Sequence, residues 1–128
     1  MEIKKWEDGE LFETNGGHMR WVFWPGNGFN DLTLHYSVLR PGEAFNLHTH
    51  EYSVDIISIV KGEGEVLTAG DEKNPPIKEG ESVFARAGEA HGIKNTGEED
   101  MITLGSQTPG DLELYGMKGY TFGKKEDK

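Results

Sequence analysis

Two short segments, each opened by a glycine and each carrying histidine, constrain this chain more than any other feature. The first runs from Gly42 through His48, Thr49, His50 and Asp55 to Gly62, and the second from Gly80 through Arg86, Ala87, Gly88 and His91 to Asn95. Side chains alternate across an extended strand, so His48 and His50 point the same way. By the same rule Asp55 shares a face with Ile57 and Ile59, and His91 shares one with Ile93 and Asn95. If those faces turn into one barrel, three imidazoles and a carboxylate meet in its interior. Such nitrogen and oxygen donors suit a single divalent transition metal.

The rest of the chain reads as strands and turns. It has 128 residues, the size of one ordinary domain, with 18 Gly and 5 Pro and no long apolar run. Short β-type runs occupy Arg20 to Trp24, Leu32 to Leu39, Asp55 to Val60, Glu65 to Thr68, Ser82 to Ala85 and Met101 to Leu104. Gly26-Asn27-Gly28, Gly70 to Pro76 and Gly97 to Asp100 read as turns or loops. Helical periodicity is weak and surfaces only near Leu11 and Phe12. The pattern predicts an all-β sandwich or barrel in one domain, 1–128, with a frayed, solvated tail over 123–128.

Composition narrows the function classes. The formal net charge of −10 repels phosphate backbones, so nucleic acid is not an expected partner. No stretch approaches a membrane span, and the start lacks the apolar core of a signal peptide. With no cysteine, disulfides and thiolate metal sites are excluded and a cytoplasmic location is the expectation. Phosphate-binding glycine loops, Gly-x-Ser-x-Gly and His-Glu-x-x-His are all missing.

The two glycine–histidine segments resemble the paired motifs of the cupin superfamily, with a spacing after His50 similar to that of germin-type members. The resemblance implies a double-stranded β-helix, a jelly-roll β-barrel, with motif 1 at 42–62 and motif 2 at 80–95. It implies His48, His50, Asp55 and His91 as ligands to one divalent transition metal among Mn, Fe, Ni, Zn, Co and Cu. It also implies a homodimer, for which the segment through Trp24 is the candidate interface; Trp21-Val22-Phe23-Trp24 reads either as core or as subunit contact.

Two positions depart from the family pattern. Asp55 stands where Glu is usual, which shortens the reach by about 1.5 Å. The acid then binds directly from a closer strand, binds through water, or leaves the metal to three histidines. Arg86 stands where Pro is usual; it either offers a cation to an anionic substrate at the barrel mouth or pairs on the surface. Tyr52 and Arg86 are the candidate catalytic residues, with Glu43 and His35 as further candidates for a base. His35 faces either pocket or solvent and is read as a non-ligand.

The leading functional expectation is a metal-dependent enzyme acting on a small polar or anionic substrate. Dioxygenase-like oxidoreductase or decarboxylase chemistry and isomerase or lyase chemistry both fit. The alternative is a barrel that binds a small molecule without turnover, and a metal-free structural barrel is the third reading.

Overall fold

The computed structural model describes residues 1–14, 17–70, 73–110, 120–121 and 124–125. Ten strands form two antiparallel sheets. The larger has the order β1 (Glu10–Thr14), β2 (Gly17–Phe23), β3 (Thr33–Leu39), β10 (Met101–Thr108), β5 (Val54–Lys61), β8 (Ser82–Ala85). The smaller has the order β4 (Ala44–His48), β9 (His91–Asn95), β6 (Glu63–Leu67), β7 (Pro76–Lys78). This arrangement is the jelly roll of a double-stranded β-helix. No helix among the described residues is long and apolar enough to cross a membrane.

The expected strands are all present, and several are longer than expected. The run from Met101 continues to Thr108, and the run Arg20 to Trp24 begins at Gly17. The weak helical signal near Leu11 and Phe12 is overturned: those residues lie in β1, where Phe12 is buried and Leu11 exposed, the two-residue period of a half-buried strand. Pro76 opens β7, an edge strand, where a missing N–H is tolerated. Within the tail expected to fray, Lys124 and Lys125 pair as β12 with Tyr120 and Thr121 of β11; 123 and 126–128 lie outside the described residues.

The apolar core fills one end of the barrel. Leu39, Ile59, Ile93 and Met101 are almost wholly buried there, with Phe45, Val66 and Ile77 around them. Burying an Ile or Phe side chain contributes about 2–3 kcal/mol, so this cluster is the main source of cohesion between the sheets. Trp21 and Trp24 are buried too and meet edge to face at 4.8 Å between centroids, with Phe12 tilted against Trp21 at 4.0 Å. Of the alternatives for the Trp21–Trp24 run, those two rings and Val22 belong to the chain's own core, which removes them from a subunit contact.

The turns at the motif glycines hold the two sheets in register. Gly62 has φ 92°, and a Cβ there would sit 3.0 Å from the Cα of Met101. Gly88 has φ 81°, and its N–H donates to the carbonyl of His50 at 2.7 Å, tying the second motif to the first. Asn95, the last motif residue, is fully buried. Its amide nitrogen donates to the carbonyls of Leu39 and Glu99, and its oxygen accepts the N–H of Gly97.

Candidate metal centre

The polar end of the barrel interior is built by three strands and the loop that follows the first of them. His48 ends β4 and stands directly opposite His91, the first residue of β9, in the smaller sheet. His50 follows two residues past the end of β4. Asp55 comes from the larger sheet, where β5 pairs it with Gln107 of β10 and Ala85 of β8. One donor atom from each of His48, His50, Asp55 and His91 lies within 4.8 Å of all the others. His50, Asp55 and His91 are buried and His48 is half-buried. The expected convergence is present, although β4 stops before His50.

The donor set fits a divalent cation. Asp55 Oδ2 lies 3.1 Å from His91 Nε2 and 3.3 Å from His50 Nε2. The Nδ1 atoms of His48 and His91 are 2.6 Å and 2.8 Å from the carbonyl oxygens of Asn46 and Glu89, to which they donate. A neutral imidazole has one N–H, so each Nε2 then carries a lone pair into the interior. In His91 that lone pair faces a carboxylate oxygen, a repulsive pairing until a proton or a metal ion stands between them. Ligands at ~2.1 Å from one metal ion are ~3.0–3.4 Å apart when adjacent, which matches the two observed separations. Asp55 Oδ1 is buried without a hydrogen-bond partner, leaving a second carboxylate oxygen for the same ion. The four side chains thus form a cluster able to coordinate one divalent transition-metal ion.

Electrostatics agree with that role. Burial alone would raise the Asp55 carboxyl, but the His50 and His91 imidazoles beside it, with His35 nearby, favour its ionised form and hold it well below the usual carboxylate range. Burial pushes the His48 imidazole down to about 4, against the pull of the Asn46 carbonyl and with help from the neighbouring imidazoles. An unprotonated imidazole and an ionised carboxylate are the forms that bind metal.

The other candidates lie elsewhere. Tyr52 is 72% exposed in the β4–β5 loop. Arg86 is exposed, with its guanidinium 5.6 Å above the ring of Phe84, itself exposed. Glu43 accepts the backbone N–H of Arg40 across the β3–β4 turn, so it closes that turn. His35, by contrast, faces inward and is buried, as is Gln107, which no motif marked. Gln107 Nε2 lies 3.4 Å from His50 Nε2. Its signal in the sequence was alternation alone: Met101, Thr103, Gly105 and Gln107 share the inner face of β10.

Known proteins give the same picture. Residues 35–105, which include both motifs, match the family model described as the cupin domain. An oxalate-binding protein of Thermotoga maritima is 43% identical over 66 residues, 52% of this chain and 53% of its own length. The chain therefore spans about half the length of this curated relative. The crystal structure of a predicted oxalate decarboxylase from Thermotoga maritima superposes with a TM-score of 0.73 at 28% identity, over 84% of this chain and 99% of that one. Ectoine synthase from P. lautus shares the fold with a TM-score of 0.70 at 19% identity, over 86% of this chain and 79% of its own.

Proposed function

The chain belongs to the cupin family, and from that premise we propose that it is a metal-dependent enzyme acting on a small carboxylic acid, with decarboxylation or oxidation as the reaction class. One observation carries the reading: three imidazoles and one carboxylate converge on a point, with a lone pair opposed to a carboxylate oxygen across 3.1 Å. The likeness to an oxalate-binding protein and to a predicted oxalate decarboxylase supports a small acid as the ligand.

A divalent ion in this cluster supplies a positive charge that binds and polarises an acid's oxygen atoms. The chain's own residues do the rest. The carbonyls of Asn46 and Glu89 fix which nitrogen of His48 and His91 carries the lone pair. Asp55, from the opposite sheet, would offset part of the ion's charge. The buried walls exclude water, which strengthens every electrostatic contact inside.

The name of the oxalate-binding relative also favours a second reading, a barrel that holds a small acid without converting it. One experiment separates them. Untagged protein purified without chelator is assayed for bound metal and then incubated with oxalate. Near-stoichiometric metal with release of formate or carbon dioxide supports the enzyme. Metal and saturable oxalate binding with no product on long incubation supports the binding barrel. Failure to take up any divalent metal after reconstitution overturns the enzyme, and the binding barrel then stands only if oxalate still binds.

A further inference from the structure

The metal cluster accounts for four polar side chains of the inner wall, yet two more are buried beside it with unpaired atoms. His35 Nε2 and Gln107 Oε1 have no hydrogen-bond partner. Both residues are more than nine-tenths buried. A buried polar atom left unpaired costs about 1–3 kcal/mol, so two on one wall call for an explanation.

The placement of His35 is built into the neighbouring strand. On β10, which lies between β3 and β5, Gly105 stands opposite both His35 and Ile57. A Cβ at 105 would lie 2.3 Å from Cε1 and 2.8 Å from Nδ1 of His35. The imidazole therefore lies across the β10 backbone, in space that any residue but glycine would fill. Asp55 and His50 both act on it electrostatically. Gln107 sits two residues along the same face, opposite Asp55. Its amide nitrogen has a long contact, 3.4 Å, with His50 Nε2. A metal held by His50 Nε2 would take that lone pair and leave the amide hydrogens to point at a ligand instead.

Resting on the small-acid reading above, we propose that His35 and Gln107 form a hydrogen-bonding subsite beside the metal cluster, and that this subsite holds the carboxylate oxygens that the metal does not. Its ligand is a compact acid with a second oxygen-bearing group next to the one on the metal. The amide nitrogen of Gln107 donates to one oxygen of the acid, its Oε1 accepts from a proton-bearing oxygen of the same acid or a water, and His35 donates from one ring nitrogen. A short dicarboxylate satisfies both ends; a simple monocarboxylate satisfies the metal alone.

The test is calorimetry on manganese(II)-loaded protein with oxalate and with acetate, alongside manganese affinity and melting temperature. Gln107→Leu and His35→Phe remove the polar atoms, and Gly105→Ala displaces the ring. Each is expected to weaken oxalate binding ~10-fold or more, while manganese and acetate affinities change less than ~3-fold. If Gln107→Leu fails to fold, Gln107→Met, which keeps the side chain's length without its polar atoms, makes the same test. Unchanged oxalate affinity in the Gln107 and His35 variants overturns the subsite. Loss of manganese in step with oxalate also overturns it, because the residues would then serve the metal. Wild-type protein that binds manganese but not oxalate fails one step earlier: it overturns the small-acid reading itself, and the subsite with it.

Discussion

Asn95 closes the second motif in sequence, yet it touches no ligand atom, and its replacement should separate folding from metal binding. The side chain is 0% exposed and makes three hydrogen bonds to main chain, at 2.8, 2.8 and 2.9 Å. Asn95→Leu keeps the branched shape and strands one buried backbone group, the carbonyl of Leu39, and two part-buried ones, the carbonyl of Glu99 and the N–H of Gly97. At about 1–3 kcal/mol for the buried carbonyl and less for the two groups that water can reach, the expected loss is about 2–4 kcal/mol. That is a large share of the ~5–15 kcal/mol available to a domain, and corresponds to a fall in Tm of ~10–20 °C.

Asn95→Asp sharpens the test. It keeps the acceptor for Gly97 but points two carboxyl lone pairs at the two carbonyls that the amide served. Burial and those carbonyls disfavour the ionised form, so the introduced carboxyl's pKa in the folded state lies above its unfolded value. Stability is then retained below the unfolded pKa and lost as pH rises through the folded one. Urea denaturation of metal-free protein should find this variant's deficit against wild type larger at pH 7 than at pH 5. Metal stoichiometry of the folded fraction should stay at the wild-type level for both variants. A loss under ~1 kcal/mol for Asn95→Leu, or an Asn95→Asp deficit independent of pH, would refute the assignment of Asn95 as a backbone clasp.

Three further outcomes follow from the site. His91→Ala should abolish stoichiometric metal by elemental analysis while the barrel still melts cooperatively; retained metal at full occupancy would count against the cluster. Gly92→Ala places a Cβ 2.5 Å from the carbonyl oxygen of Phe45, prising β9 from β4 where they carry His91 and His48, so metal affinity and Tm should fall together; an unchanged metal titration would argue that the strands yield freely. In metal-free protein His35 is held below its ordinary pKa and His48 lies at about 4, so the unfolded chain binds more protons between about 4 and 6.5 and stability should drop as pH falls through that window; a flat urea midpoint from pH 7 to 5 would contradict it.

The sequence was most legible where glycine and histidine sit at fixed spacing. Those spacings located the turns at Gly62 and Gly88 and the four converging side chains, and apolar runs located six strands. Other parts were hidden for physical reasons. β1 is short and half polar, and β7 begins at a proline, which reads as a break until its edge position is known. His35 and Gln107 were obscured by an inverted pattern. On β3 the buried face carries Thr33, His35 and Ser37, while the half-buried outer face carries Leu34, Tyr36 and Val38. Reading apolar as inward turns that strand inside out. The outer face is covered in part by the N-terminal segment, where Trp6 stacks on Tyr36 at 5.5 Å.

The contrast has a structural cause. His48 and His91 each donate Nδ1–H to the carbonyl two residues before them, Asn46 and Glu89. The nitrogen offered to the metal is therefore selected by local backbone, within three residues of sequence, and a linear motif can carry the whole instruction. Asp55 needs only one long-range condition, that β5 face β4 and β9 across the barrel, and a Asp55 Oδ2 already 3.1–3.3 Å from two imidazoles shows that the shorter acid reaches far enough. His35 and Gln107 depend instead on three strands in register and on a missing side chain at Gly105. Metal donors written locally and ligand contacts written in tertiary register would leave one motif compatible with many substrates. With the subsite proposed above, selection in this barrel would rest on the inner faces of β3 and β10, where a change of one residue should alter the acid that fits without disturbing the metal donors.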